Sequence, residues 1–476
     1  MDLKRFLPLI FALYIFLAVG LVLLFTRKTT EIHIETIKRE HFTNFSQIST
    51  NKSRNAALSF EDIKFATLFD DIALKDLSDV QLAVIYNQTL LESYFDDQAT
   101  FYILHDAFQG TNYLSLAKDP VCVALTLSPD QIPQIANYLQ TWPGSVSVAV
   151  FVSSLDFYYA IILINLLREC NKDVFKQVSW HFVLPRNFTP PISKLGILRT
   201  ELDCSVDMHE SYNVLSKLFN KDKEKSPLPL PINTMRNVAS RHCRNEWVIA
   251  PEVDLRFPSD KSIYPKLVNF FNAANAFQCV KCAFLPATYD VLNGVIPENK
   301  KQLVELVLNG TAHVYHEKKS NFRNFTGNLS FWEALPHNND DFVVASKINL
   351  KFPDQPIYIT RHGMPKFDER YLGHSWTRSV QALEMQLAEY RFFLLDTIFL
   401  VHVNGTKINQ ANTQVNKQIL THHLRELSLR YDEYLEELIE LYPYDSPRLV
   451  DIVQSPHELE RKTDREGLQG KIKNAD

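Results

Sequence analysis

Glycine is scarce in this chain, at 12 of 476 residues, and neither a G-x-G-x-x-G nor a Walker-type loop occurs. The glycine-rich cradles of dinucleotide-binding and P-loop enzymes are therefore excluded, and any phosphate-bearing ligand must be held another way. A surplus of positive charge is also missing. Fifty Lys and Arg stand against 55 Asp and Glu, for a net charge of −5 and a pI near 6.3. Without a basic field, nucleic acid is not an expected partner. Cysteines number only six, and no second C-x-x-C or paired-histidine set accompanies Cys279-Val280-Lys281-Cys282. That spacing reads as a disulfide or buried thiols rather than a zinc or redox centre. No internal repeat is present.

What is there suits a packed interior: 46% of residues are hydrophobic and 12% aromatic, enough for one large domain or two medium ones. Leu7 to Phe25 is one uncharged apolar run, long enough to span a bilayer. It exceeds the core of a cleaved signal, and Thr26-Arg27-Lys28 follows with no small-x-small cleavage site. The run reads as a retained signal anchor. Asn-x-Ser/Thr sequons at Asn44, Asn51, Asn87, Asn187, Asn309, Asn324, Asn328 and Asn404 all follow it, as do all six cysteines. This placement suits a short cytosolic tail and a large body in an oxidising lumen, with the disulfide connectivity open.

The expected organisation is a tail over 1–6, a transmembrane anchor over 7–25, a polar stem over 26–55 and a folded extension of unassigned role over 56–115. A main domain over 116–425 and a C-terminal helix with polar tail over 426–476 follow. From Val121, strand and helix patterns alternate: strands at VCVALTL, Val146 to Val152, Trp180 to Leu184 and Trp247 to Ala250, helices at Pro129 to Leu139 and Phe157 to Leu167. Such alternation predicts an α/β domain with a mostly parallel central sheet. A later block carries strands at Val343-Val344, Pro356 to Thr360 and FFLLDTIFLVHV, and a helix near Ser379 to Glu389.

The stretch LPINTMRNVASRHCRNEWVIAPEVDLRFP, Leu230 to Pro258, predicts a helix capped by Asn233, then an apolar strand ending in Glu252 and Asp254. Ligand crevices of open α/β sheets lie outside such strand ends. On extended backbone, residues i and i+2 point to one side, so both carboxylates are placed to reach one hard cation and, through it, a diphosphate.

Five stretches in one order, VCVALTLS, TWPGSVSVAVFVSS, LPINTMRNVA, WVIAPEVD and MPKFDERYLGHSWTRSVQALEMQLAEYRFFLLDTIFLVHV, resemble the LARGE-type and β-1,4-glucuronyltransferase family of glycosyltransferases, glycosyltransferase family 49. The resemblance covers about Val121 to Lys407 and implies a GT-A (Rossmann-like) domain on a type II anchor in the Golgi membrane. It also implies a UDP-sugar donor, a glycan or glycoprotein acceptor, and Mn²⁺. Position by position, it places the family's Asp-x-Asp on Glu252-Val253-Asp254 and a metal-binding histidine on His402. The same comparison offers Asn233, Arg236 and Arg370 for substrate binding and Asp368, Glu369 and Glu384 as carboxylates for acceptor deprotonation. Two positions depart from the pattern: Glu252 stands where the family has aspartate, and in Gly373-His374-Ser375-Trp376 Ser375 stands at the second glycine of Gly-x-Gly-Trp. Glucuronic acid is the first expectation for the sugar. A non-catalytic glycan-binding or scaffolding relative, or a transferase of xylose or N-acetylglucosamine, stands as the alternative.

Overall fold

The computed structural model describes residues 93–187, 190, 204, 230–273, 279–292, 294–315, 329–336, 342–352, 354–372, 377–403 and 430–443. The apolar run at Leu7 to Phe25, the stem and Gly373 to Trp376 lie outside them. Among the described residues no helix is long and apolar enough to cross a membrane.

The strands are β1 (Tyr94–Phe95), β2 (Phe101–Phe108), β3 (Val121–Leu127), β4 (Val146–Phe151), β5 (Val178–Pro185), β6 (Trp247–Ile249), β7 (Leu255–Arg256), β8 (Cys282–Val291), β9 (Ala312–Val314), β10 (Val344–Ile348), β11 (Ile359–Arg361) and β12 (Arg391–Val403). They form one sheet in the order β1-β2-β5-β4-β3-β6-β11-β8-β12-β10, with β7 added to β12 and β9 to β8. Strands β5, β4, β3 and β6 pair in parallel, and so do β8 and β12. Only β11, antiparallel to both β6 and β8, separates the two blocks, so the six strands named run in one direction. Strands β2, β7, β9 and β10 run against them, and the edge strand β1, antiparallel to β2, runs with them.

The central strands read as near-continuous apolar runs, VCVALTL and VSVAVF, because helices cover both faces. The principal helices are α1 (Asp156–Cys170), α2 (Ile232–His242), α3 (Ile263–Asn272), α4 (Lys300–Leu308), α5 (Thr377–Leu387) and α6 (430–441). Met235, Val238 and Ala239 of α2 pack on Cys122, Ala124, Ala149 and Val183 of the parallel block. Asn233 is not the cap of this helix. The N-cap is Pro231 without a side-chain capping bond, and Asn233 lies inside the first turn, fully buried. Three disulfides pair all six cysteines: Cys122–Cys243, Cys170–Cys204 and Cys279–Cys282. The first joins β3 to the end of α2 across 121 residues. On the chain-entropy account, a loop that long contributes about 4–5 kcal/mol.

Part of the 56–115 extension is continuous with the domain, since β1 and β2 extend the same sheet and β2 pairs with β5. Its register jumps from Leu104↔Phe182 to Phe108↔Trp180, so a bulge carries His105, Asp106 and Ala107, and Asp106 sits at φ 49°. The polar pair inside FYILHDAF interrupts the apolar pattern that marks the other strands.

Candidate active site

Beyond β6 the chain leaves the sheet at Ala250 and turns, with the amide of Leu255 donating to the Glu252 carbonyl at 3.1 Å. A turn replaces the extended backbone expected at this point, so Glu252 and Asp254 are sent to different partners.

Glu252 meets two buried arginines. Arg236 Nη2 donates to its Oε1 at 3.2 Å, and Arg378 donates to the same oxygen from Nε at 3.1 Å and from Nη2 at 2.9 Å. Arg378 Nη2 also donates to the Ala250 carbonyl, fixing the strand end. Burial pushes the Glu252 carboxyl up, but the two guanidinium groups outweigh it and hold the group at about 2. Arg236 is drawn down to about 9, first by burial and then by Arg378, against the pull of Glu252. Two guanidinium groups share one carboxylate, so this cluster keeps an excess positive charge at the strand end. The three arginine contacts all fall on Oε1 of Glu252.

Asp254 turns to His402. The two-residue β7 pairs antiparallel with β12, His402 opposite Leu255 and Val401 opposite Arg256, which clips Asp254 beside the histidine. Asp254 Oδ2 lies 3.2 Å from His402 Nε2, and Asp290 Oδ1 lies 2.7 Å from His402 Nδ1. Asp290 reaches that place because β8 and β12 run parallel with His402 beside Asp290. The hydrogen bonds from Asp254 and Asp290, against burial, raise the imidazole to about 9. Tyr315 stacks edge-on at 5.5 Å, its hydroxyl pushed up by burial and then by Glu252, Asp254 and Asp290.

This set fits a divalent cation. Asp254 Oδ1 is buried and has no hydrogen-bond partner among the described residues, an orphaned acceptor of the kind a cation satisfies. Asp254 and His402 offer oxygen and imidazole nitrogen side by side, and Asp290 on Nδ1 stands where an outer carboxylate would orient a ligating histidine.

The other expected residues gather in a second place. Asp368 accepts from Arg370 through both carboxylate oxygens, at 2.6 to 3.1 Å, and Arg370 bonds both oxygens of Glu437 on α6 at 2.6 Å. Glu384 accepts from Tyr434 at 3.1 Å and Tyr442 at 3.4 Å. Glu369 accepts from Asn237 and from the Asp97 amide, both at 2.9 Å. Burial raises both glutamates, and in each case these same hydrogen bonds oppose it. Asp368, Glu369, Arg370 and Glu384 line a cleft of about 260 Å³ against α6. Asn233 ties the two places together, donating from Nδ2 to the Asp368 carbonyl at 2.8 Å while its Oδ1 accepts from Arg236 at 3.3 Å. Arg236 also donates to Thr377 at 2.8 Å. Asn233 and Arg236 thus brace α2 against the FDER loop and the start of α5.

Two residues of the site were not read from the sequence, Asp290 and Arg378. Asp290 ends a strand whose Pro286 and preceding Cys-x-x-Cys obscure the β pattern. The one available signal for Arg378 was an arginine opening an apolar helix repeat.

The chain is similar in sequence to known proteins. The chain is 23% identical over 352 residues to Beta-1,4-glucuronyltransferase 1 of Bos taurus, covering 72% of this chain and 80% of that protein. With the Homo sapiens protein of the same name it shares 24% over 349 residues, with the same coverage. Xylosyl- and glucuronyltransferase LARGE1 of Homo sapiens is 20% identical over 191 residues, 40% of this chain and 24% of that protein. A family model described as "Glycosyl-transferase for dystroglycan" matches residues 120–443, a span that holds the residues named at both places except Asp97. The chain belongs to that family and is a glycosyltransferase.

Proposed function

We propose that this protein is a metal-dependent transferase of the Golgi lumen that moves glucuronic acid from a UDP-sugar to a glycan acceptor. Leu7 to Phe25 serves as its type II anchor. The observation that carries the reading is the Asp254–His402–Asp290 chain beside an arginine-clamped Glu252 at the ends of co-directional strands. A bound Mn²⁺ would neutralise the leaving diphosphate. Asp254 and His402 would hold it, with Glu252 Oε2 within the same turn. The excess charge of Arg236 and Arg378 favours an anionic donor and acts through Glu252 on the turn that presents Asp254. Among the acidic side chains of the second cleft, Asp368 is engaged by Arg370, whereas the partners of the Glu384 carboxylate among the described residues are tyrosine hydroxyls. A carboxyl raised by burial and lightly held suits proton uptake from an acceptor hydroxyl, so Glu384 is assigned that role. Glucuronic acid is chosen because the names of these relatives share it, and LARGE1's name makes xylose the second choice.

The test is to incubate the protein with Mn²⁺ and a panel of UDP-sugars and to measure which is consumed. UDP-glucuronic acid is expected, with consumption lost on chelation. Consumption of UDP-xylose or UDP-N-acetylglucosamine instead would reassign the donor, and consumption of none would favour a glycan-binding relative. The geometry also predicts the effect of restoring the family residue. Aspartate at 252 is one methylene too short to keep both guanidinium contacts, so Glu252→Asp is expected to lose about 1.5–3 kcal/mol of folding stability. Transfer should fall with it. A large rise in transfer would show instead that glutamate impairs the site.

A further inference from the structure

Far along the sheet from Asp254, the β2 bulge brings together side chains that the transfer site does not use. We propose that His105, Asp106 and His242 form a second metal site, for a transition-metal ion of the zinc class. Their ligand atoms all lie within 4.8 Å of one another. His105 Nδ1 is 3.4 Å and His242 Nδ1 3.8 Å from Asp106 Oδ2. Ligand atoms around tetrahedral zinc, each about 2.0–2.1 Å from the ion, are about 3.3 Å apart, so small side-chain movements close the set.

The surroundings arrange these atoms. The Asp106 amide donates to His181 Nδ1 at 2.8 Å, which leaves the His181 proton on Nε2 to be donated to Ser147 Oγ at 2.9 Å. His181 is therefore engaged at both nitrogens and positions Asp106 rather than binding an ion. Ser179 Oγ donates to Asp106 Oδ1 at 2.9 Å, so Oδ2 is the oxygen that faces the two histidines. Tyr94 and His242 Nε2 lie 3.3 Å apart, an outer partner that turns Nδ1 inward. His242 is buried at the end of α2, directly before the disulfide at Cys243. The His105 ring stacks on it at 5.0 Å with its side chain 44% exposed, so it is free to turn onto an ion. Asp106 itself adopts φ 49°, a conformation costly for a non-glycine residue and common where a side chain is aimed for a purpose.

Two imidazoles with one carboxylate select zinc or copper over manganese, whereas oxygen-rich sites suit manganese. Arg244 competes for the same oxygen, its Nη2 lying 3.3 Å from Asp106 Oδ2 with its side chain 48% exposed. An ion here would join the β2 bulge to the C-terminal end of α2, the helix that carries Asn233 and Arg236.

The test is equilibrium Zn²⁺ binding to untagged full-length protein by chelator competition, in an Asp254→Asn background that silences the other site. One Zn²⁺ is expected per chain. Adding His105→Ala at the exposed position should weaken binding by at least about tenfold, and Asp106→Asn, which tolerates the same backbone conformation, should do the same. Arg244→Gln should tighten binding, a gain that mere destabilisation would not produce. Unchanged affinity in His105→Ala, or loss of all zinc binding in Asp254→Asn alone, overturns the proposal.

Discussion

Asp254→Asn is expected to abolish Mn²⁺-dependent binding of UDP and to lower sugar transfer by about a hundred- to a thousandfold. A cation at a leaving phosphate supplies several kcal/mol of charge stabilisation, and each 1.4 kcal/mol or so is tenfold in rate. Asparagine keeps the shape of the side chain and an acceptor for His402 but loses the charge that holds the ion. The fold should survive, because among the described residues Oδ1 has no hydrogen-bond partner and Oδ2 pairs with His402 alone. Titration calorimetry of UDP with Mn²⁺ in excess is the measurement. Affinity within threefold of the unaltered protein, in a variant with an unchanged unfolding midpoint, would remove Asp254 from the proposed function.

A second large effect is expected far from the chemistry. Lys300 Nζ on α4 donates to Asp396 Oδ1 at 2.6 Å, and the two side chains are 2% and 1% exposed. The ammonium also lies 4.3 Å from the centre of the Trp332 ring. Asp396 sits in an irregularity of β12 where the pairing with β8 shifts between Leu394 and Phe399, and Thr397 there has φ 72°. Lys300→Met leaves a buried carboxylate without its cation, which costs about 3–5 kcal/mol. The double variant Lys300→Met with Asp396→Asn removes the charge while keeping an acceptor for the Thr397 amide, and should recover most of the loss. Urea unfolding of the three proteins decides it. A single variant within 1 kcal/mol of wild type, on the order of a surface pair's worth, would show that the pair is not what holds the irregular strand.

Sequence patterns located the parts of this molecule whose determinants are local. VCVALTL is bounded as a strand at the same residues in the fold, since a short run of buried apolar side chains between turn residues has one reading. The helix at Ile232 was legible from Met235, Val238 and Ala239, although its cap was not, because Asn233 was drawn to the Asp368 carbonyl and Arg236 instead. The relation of Glu252 to Asp254 was misread for a similar reason. Spacing of i and i+2 implies one face only on extended backbone, and the chain turns there. Asp290 and Arg378 lay beyond local reasoning altogether. Asp290 matters through its register against His402 in a neighbouring parallel strand, and Arg378 through its contact with the end of β6.

The clip between β7 and β12 also sets an order of events during synthesis. Arg236, Glu252, Asp254 and Asp290 all leave the ribosome well ahead of His402, yet Asp254 is delivered to its partner only when Leu255 and Arg256 find β12. A chain that stops before β12 carries every carboxylate of the cation set and no imidazole to hold them together. On the proposed function, cation affinity would report completion of the domain, and a chain truncated before β12 is expected to bind no cation beside Asp254.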